Sequence, residues 1–280
     1  MRTIAIAPLF RTTILGLIFA SATTAVLSAE LTGTLKKIRD AGEINIGYRE
    51  SSIPFSFLDD QQKPIGYSLD LCARVVDAIK NELKMPNLQT KWTPVTSATR
   101  IPLIANGTID LECGSTVNNA ERQKQVGFSV TTFVVATKFI ARKSTKLATL
   151  DDLRGKTVIC TSGTNTIARV NELNAKRNLG MTILAGADHA GSLQQVVSDR
   201  AVAFFEDDIL LTGLAANSRD PSEWALGTEA YSVDPYAIML PRGDAPFKQV
   251  VDRALIATFK SGEVMNIYEK WFRSRSRRRT

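Results

Sequence analysis

The stretch KTVICTSGTNTIARVNELNAKRNLGMTILAGADHAGSLQQVVSDRAVAFFED, residues 156–207, decides the fold class. Its three apolar runs, KTVICT, MTILAG and AVAFFED, have the length and the β-branched and aromatic content of buried strands. Helical segments are predicted between them, from Asn165 to Arg177 and from Ser192 to Asp199. Strands that alternate with helices in this way predict a sheet with helices packed on its faces, which is an α/β fold.

The same alternation comes before this stretch. Strands are predicted from Glu43 to Arg49 and over LQTKWTPV and IDLECG, and Ser68 is placed to cap a helix that runs to about Lys84. Two consecutive series of this kind indicate two lobes, each with its own sheet. The chain would cross between the lobes in extended stretches near residues 131–132 and 232–233, so that the last helices return to the first lobe. We therefore predict one lobe from residues 30–131 with 234–280, and a second from residues 132–233.

The first thirty residues have the layout of a secretory signal peptide. Arg2 and Arg11 precede an uncharged apolar run, Ile14 to Leu27, and small residues follow up to Ala29. This run is shorter than the roughly 20 apolar residues that span a bilayer, which argues against a membrane anchor. We therefore expect residues 1–29 to be a signal peptide and the mature protein to lie in the periplasm.

The formal net charge of +7 is concentrated at the two ends of the chain. Two arginines lie in the predicted signal peptide, and five lie in the terminal stretch WFRSRSRRRT. The body of the protein is therefore close to neutral. Nucleic-acid binding needs a basic face on the fold, so this composition argues against it.

Three cysteines, Cys72, Cys113 and Cys160, allow at most one disulfide within the chain. Their spacing matches no metal-binding motif, and each lies in an apolar segment. We expect them to be small buried side chains. The sequence predicts neither a metal nor a cofactor.

Polar side chains follow the predicted strands at the point where each strand ends. In open α/β sheets this is the edge at which ligands bind. Arginine holds a carboxylate through two parallel hydrogen bonds, and a helix start such as TSGTN attracts an anion. An aspartate suits an ammonium group. The pattern predicts a zwitterionic ligand with an additional anionic group, bound by Arg49, Ser97, Arg100, Ser115, Arg122, Thr164, His189 and Asp207.

Simpler interpretations of these residues stay open. Arg49 suits an exposed surface position, Arg122 suits an ion pair with Glu121, and His189 suits a loop. Thr164 and one of the two aspartates at 207 and 208 suit helix caps. Motifs of hydrolases, P-loop proteins and dinucleotide-binding enzymes are absent from the sequence.

Three stretches carry a resemblance to a known family. YRESSIPFSFLDDQQKPIGYSLDL, TSATRIPLIANGTIDLECGSTVNNAERQKQVGFS and RAVAFFEDDILL resemble, in this order, the periplasmic glutamate/aspartate-binding proteins of ABC importers. The resemblance extends from about Leu31 to Phe272. It implies a two-lobed periplasmic binding protein fold with two hinge crossings. It also implies capture of L-glutamate or L-aspartate for an inner-membrane ABC permease. We expect a monomer that is not an enzyme.

The resemblance also implies a role for each predicted site residue. Arg122, helped by the TSGT turn with Thr164, would hold the α-carboxylate of the ligand. Asp207 and Ser115 would bind its ammonium group. The side-chain carboxylate would be surrounded by Arg49, Ser97, Arg100 and His189.

Two positions depart from the family pattern. Val117 stands where the family usually has a threonine that helps to hold the ammonium, and Asn165 stands where a second threonine commonly follows the TSGT turn. One lost hydrogen bond costs about 0.5–1.5 kcal/mol, which is at most roughly tenfold in affinity. The choice among glutamate, aspartate and a related dicarboxylate therefore stays open. Two alternatives share the fold: an exported dehydratase of cyclic amino-acid precursors, and a ligand-sensing module that reports to a membrane kinase.

Overall fold

The structure, a computed structural model, describes residues 31–273. The predicted signal peptide lies outside the described residues, as does the arginine-rich stretch beyond Arg273. No helix among residues 31–273 is long and apolar enough to cross a membrane.

Twelve strands are formed within the described range. They are β1 (Glu43–Tyr48), β2 (Ser51–Ser52), β3 (Ser56–Leu58), β4 (Pro64–Ile65), β5 (Gln89–Pro94), β6 (Leu111–Glu112), β7 (Gly127–Arg142), β8 (Thr157–Thr161), β9 (Thr182–Gly186), β10 (Ala203–Asp207), β11 (Trp224–Leu226) and β12 (Ser232–Leu240).

The same range contains nine α-helices. They are α1 (Gly33–Ala41), α2 (Tyr67–Leu83), α3 (Arg100–Ala105), α4 (Ala120–Gln123), α5 (Asn165–Lys176), α6 (His189–Val197), α7 (Asp208–Ala216), α8 (Ala245–Lys260) and α9 (Glu263–Tyr268). A π-helical turn, Glu269–Arg273, follows α9.

The main sheet has the strand order β5-β1-β6-β12-β7-β10-β8-β9, and β11 pairs with β7. Its two outer parts, β5-β1-β6 and β10-β8-β9, are parallel. The two long strands β7 and β12 run antiparallel between them and join them. The prediction of two separate sheets was therefore wrong in this respect. The lobes share one hydrogen-bonded network because β7 and β12 continue through both predicted crossings.

Apolar side chains cover both faces of the outer part formed by β10, β8 and β9. Successive residues of a strand point to opposite faces. Val158 and Cys160 of β8 accordingly pack with Phe205 in one cluster, while Ile159 packs with Phe204 in another. Burial on both faces explains why these strands read as continuous apolar runs rather than as alternating ones.

The last described residues pack against β7, α2 and the loop at Phe55. Phe272 lies against Phe133 of β7 and Phe55, with ring centroids 5.0 and 5.8 Å apart. The indole nitrogen of Trp271 donates a 2.6 Å hydrogen bond to Asp70 of α2. The last helices therefore close on residues from the first third of the chain. The lobe boundaries themselves stay a prediction.

Cys72 of α2 and Cys113, just after β6, form a disulfide with Cα atoms 6.3 Å apart. Both side chains are buried, as expected, and they form the one disulfide that three cysteines allow. Cys160 is unpaired and buried, as predicted.

Two helix starts differ from prediction. α2 begins at Tyr67 after Gly66, and Ser68 does not cap it. Its hydroxyl instead donates a 2.7 Å hydrogen bond to the Gly114 carbonyl. α6 begins at His189, three residues earlier than predicted, because the Asp188 side chain accepts from the Gly191 amide.

Candidate functional site

The structure buries all eight predicted ligand-binding side chains. Arg49, Arg100 and His189 are at most 2% exposed, although two of them are arginines, which are rarely buried without a partner. The alternative in which Arg49 is a surface arginine is wrong. The remaining members are also buried: Ser97, Ser115, Arg122, Thr164 and Asp207.

Arg49 follows β1 and directs a free guanidinium into the protein interior. Both of its Nη atoms are buried and have no hydrogen-bond partner among the described residues. Its backbone is fixed, because the Arg49 amide donates a 2.9 Å bond to the Ser56 hydroxyl. Burial, and then the positive charge of Arg100, lower the pKa of Arg49 to about 10, so it stays cationic at neutral pH.

Arg100 is the first residue of α3 and lies beside Arg49. Its Nη1 donates to the Ser115 carbonyl at 3.1 Å and to the Thr116 hydroxyl at 2.5 Å. Its Nε is buried and has no hydrogen-bond partner among residues 31–273, and the same holds for the hydroxyls of Ser97 and Ser115. The loops after β5 and β6 thus bring the predicted residues of this lobe to one place.

Arg122 of α4 bridges toward the other half of the site. Its Nη1 donates to the Val117 carbonyl at 2.9 Å, and its Nη2 lies 3.4 Å from the Gly163 carbonyl in the TSGT turn. The alternative of an ion pair with Glu121 is wrong, because Glu121 pairs with Lys124. Burial, and then Arg100, lower the pKa of Arg122 to about 10.

His189 and the TSGT turn form the opposite side. His189 Nδ1 lies 2.9 Å from the Thr161 hydroxyl and 3.5 Å from Glu206. Burial, followed by the charges of Arg49 and Arg100, lowers the pKa of His189 well below its ordinary value of 6.5, so the ring is neutral at pH 7. The Thr164 hydroxyl donates to the Thr161 carbonyl and does not cap α5.

Asp207 ends β10 beside the two long central strands. Its Oδ1 accepts a 3.2 Å bond from the Thr137 hydroxyl of β7, and its Oδ2 accepts from the Tyr236 hydroxyl of β12. Burial raises the pKa of Asp207 to about 6. Asp208, not Asp207, accepts from the Ile209 amide at the start of α7, and it also accepts from the Ala136 amide of β7.

Sequence reasoning missed two buried carboxylates of this site. Glu112 lies 3.9 Å from Arg100, and Glu206 lies between His189 and the Thr166 hydroxyl. Burial, and then the adjacent Asp207, raise the pKa of Glu206 to about 8. Their signal in the sequence was an acidic residue that directly follows a buried apolar strand residue, Leu111 or Phe205, since a strand of this kind is normally hydrophobic.

The arrangement is suited to a small ligand with two carboxylates and one ammonium. The guanidinium groups of Arg49 and Arg100 meet the neutral imidazole of His189 on one side. The guanidinium of Arg122 adjoins the start of α5, and the Asp207 carboxylate lies near Arg122. Burying polar atoms without partners costs roughly 1–3 kcal/mol each, so the free atoms of Arg49, Ser97, Arg100 and Ser115 indicate a ligand. Among the residues that the structure describes, no group of three or more histidine, cysteine, aspartate or glutamate side chains is placed to hold a metal ion.

Comparison with known families and proteins gives a consistent result. The family model described as bacterial extracellular solute-binding proteins, family 3, matches residues 44–274. An L-glutamate/L-aspartate-binding protein of Pseudomonas aeruginosa is 49% identical, over 88% of this chain and 82% of that protein. A glutamate/aspartate import solute-binding protein of Salmonella typhimurium is 44% identical, over 86% of this chain and 80% of that protein.

Solved structures show the same fold. A mutant of ArgBP from T. maritima superposes with a TM-score of 0.76 at 22% identity, covering 85% of this chain and 98% of that one. An ancestral amino acid-binding protein, AncCDT-1, described as a precursor of cyclohexadienyl dehydratase, gives a TM-score of 0.73 at 25% identity and covers 86% of this chain and 100% of that one.

Proposed function

Because the chain belongs to the bacterial extracellular solute-binding proteins of family 3, we propose that it captures glutamate or aspartate for import by an ABC transporter. The relatives of 43–49% identity carry names for this activity. The observation that supports the choice of ligand is the buried guanidinium of Arg49. Its Nη atoms have no partner in the described part of the chain, and it lies beside Arg100 and the neutral His189. A carboxylate satisfies that guanidinium, whereas an amide would leave its charge unbalanced.

Each end of the ligand has a proposed set of partners. Arg49, Arg100, Ser97 and His189 bind the side-chain carboxylate. Arg122 and the turn at Thr164 bind the α-carboxylate, since Arg122 Nη2 lies 3.4 Å from the Gly163 carbonyl. The ammonium is held by Asp207 and Ser115. At position 117 the side chain is valine, so it adds no hydrogen bond to the ammonium, although its carbonyl orients Arg122.

We propose the following cycle. The ligand docks on one lobe of the open protein, the lobes close around it by the hinge motion established for periplasmic binding proteins, and closure excludes water. Low dielectric then strengthens the arginine–carboxylate contacts. The protein acts as a monomer in the periplasm after removal of residues 1–29, and the closed form docks on an inner-membrane permease.

The test is calorimetry on the mature protein, stripped of carried-over ligand, with glutamate, aspartate, glutamine and succinate. We expect glutamate or aspartate to bind, and glutamine to bind roughly a hundredfold more weakly, because it loses charge-assisted hydrogen bonds. Arg49→Met should remove most of the difference between glutamate and glutamine. Arg74→Met is the matched control, because Arg74 is exposed and pairs only with surface carboxylates.

Two results would contradict the proposal. One is the absence of heat with both acidic amino acids, and the other is a preference for succinate. Turnover of a cyclic dicarboxylate precursor of an amino acid would favour the dehydratase alternative instead.

A further inference from the structure

Glu112 is a fully buried carboxylate that the proposed ligand contacts do not use. It ends the short strand β6 and is 0% exposed. Its Oε2 accepts a 2.5 Å hydrogen bond from the Thr116 hydroxyl. Its Oε1 is 3.9 Å from Arg100 Nη1 and has no hydrogen-bond partner within the described range. A buried carboxylate with one oxygen unsatisfied is costly unless nearby charges stabilise it.

Thr116 connects Glu112 to Arg100. The Thr116 hydroxyl donates its one proton to Glu112 and accepts from Arg100 Nη1, both at 2.5 Å. A hydroxyl has only one proton to donate, so the carboxylate fixes which way it points. The lone pairs of Thr116 are thereby directed at the guanidinium, which holds Arg100 in one orientation.

Glu112 also acts on the other arginines of the site. Its negative charge raises the pKa of both Arg49 and Arg122, while Arg100 lowers both. With Glu206 protonated and His189 neutral at pH 7, three arginines face the negative charges of Glu112 and Asp207. The site is then left with one positive charge, which a glutamate or aspartate with its single net negative charge balances.

We propose that Glu112 positions Arg100 through the Thr116 hydroxyl and sets the charge of the site, so that the site selects a dicarboxylate that carries an ammonium over one that does not. This inference rests on the proposed function. Without the Glu112 charge the site would carry two positive charges, which suits a doubly negative ligand such as succinate. Selection by charge works here because the wrong ligand leaves the occupied site with an unbalanced net charge.

The local backbone leaves room for this carboxylate. A Cβ atom at Gly114 would lie 2.1 Å from Glu112 Oε1 and 2.8 Å from Arg49 Cγ. Any side chain at position 114 would therefore displace either the carboxylate or the arginine stem. Glycine here serves the approach of two charged side chains rather than a turn, because its φ lies outside the left-handed region.

The experiment measures glutamate and succinate dissociation constants at pH 7 for the wild type and Glu112→Gln. Glutamine keeps the shape and can still accept from Thr116, but it removes the charge. We expect the ratio of the succinate constant to the glutamate constant to fall by about tenfold or more, since one buried charge acts on the ligands in proportion to their net charge. A general loss of packing would weaken both ligands alike and leave the ratio unchanged.

Three further variants distinguish the effect of the Glu112 charge from its effect on the position of Arg100. Glu43→Gln makes the same chemical change at an exposed residue at the far end of β1 and should leave the ratio unchanged. Thr116→Val and Glu112→Asp keep the charge but disturb the hydrogen-bonded chain. Both should weaken glutamate binding by about tenfold with the wild-type ratio retained. Thermal unfolding of each variant monitors the fold.

An unchanged ratio in Glu112→Gln, with wild-type glutamate binding intact, would overturn this inference and leave the proposed function standing. If Glu112→Gln does not fold, a changed ratio in Thr116→Val or Glu112→Asp would overturn the inference, and a retained ratio with weaker binding would support it. A wild-type protein that binds neither ligand would overturn the proposed function and this inference with it.

Discussion

At the scale of single residues, Glu206 links the protonation of the site to the stability of the fold. It is 2% exposed, and the charged or titratable groups near it include Asp207, His189, Arg49 and Arg100. Burial first, and Asp207 second, raise its pKa from 4.5 to about 8. The folded protein therefore keeps a proton on Glu206 at a pH at which the unfolded chain has already lost it.

The consequence is a loss of stability as the pH rises. Above pH 4.5 the folded state binds more protons than the unfolded state, so the free energy of unfolding decreases up to about pH 8 and then levels off. The raised pKa of Asp207 changes the stability mainly below about pH 6, and the lowered pKa of His189 changes it mainly below pH 6.5. Between pH 6.5 and 8 the Glu206 contribution is therefore the largest of the three.

We predict that Glu206→Gln removes this dependence. The wild type should lose on the order of 1–2 kcal/mol between pH 6.5 and 8, which lowers the melting temperature by a few degrees. Glu206→Gln should show a flat profile, and Glu172→Gln, at an exposed residue of α5, should keep the wild-type slope. Parallel slopes in wild type and Glu206→Gln would mean that Glu206 is ionised in the folded protein.

The residues of the site differed in how far the sequence could predict them. Arg49, Arg100 and Arg122 follow strand ends, and a strand end marks a position that any parallel sheet brings to one edge. Glu112 is the last residue of β6 and Glu206 is the next to last of β10, and within a strand the alternation predicts only whether a position is buried. Which charge a buried carboxylate meets depends on the packing of distant segments, so sequence pattern alone could not assign it.

At the scale of secondary-structure elements, two glycines lie where the predicted lobes meet. A Cβ at Gly163 would be 2.5 Å from the Ala98 backbone, and a Cβ at Gly213 in α7 would be 2.4 Å from the Ile53 carbonyl. Both obstacles are backbone atoms, which cannot turn aside as a side chain can. The lobes approach this closely only because these two positions lack a side chain.

We predict that Gly213→Ala separates binding from stability. Alanine stabilises a helix interior by about 0.5–1 kcal/mol relative to glycine, so the ligand-free melting temperature should not fall. Overpacking against Ile53 costs about 1–3 kcal/mol in the closed form, which should weaken glutamate binding by roughly tenfold or more. Calorimetry and thermal unfolding measure the two effects.

Gly191→Ala in α6 is the control for this substitution. Its Cβ would meet only the Asp188 side chain, at 3.3 Å, and that side chain can shift. Equal affinity in Gly213→Ala and the wild type would show that the contact with Ile53 does not form in the bound state.

The secondary-structure elements also show which features of the fold the sequence patterns could predict and which they could not. The strands with continuous apolar runs, such as β8 and β10, were predicted from their length and composition. The short strands β2, β3 and β4 were not predicted, because two or three residues are too few to show alternation. The fusion of the two sheets through β7 and β12 was missed, since periodicity reports which residues are extended but not which strands pair.

At the scale of the whole molecule, the described lobes are connected by strands rather than by a flexible linker. β7 is 16 residues long, and its pairing with β12 has register shifts at Tyr236/Ala237 and Ala237/Met239. Irregular pairing of this kind bends a strand locally. Motion between the lobes should therefore be a bend at these positions, with the rest of each lobe moving as a body.

We predict that glutamate closes and stabilises the molecule together. Ligand at about 100 times the dissociation constant contributes about 2.7 kcal/mol, which for a chain of this size raises the melting temperature by about 5–10 °C. Small-angle scattering should show a smaller radius of gyration under the same conditions, because closure brings the lobes together around the bend. A higher melting temperature with an unchanged radius would mean that the ligand binds without closure, and the contacts of Gly163 and Gly213 would then be features of the ligand-free protein as well.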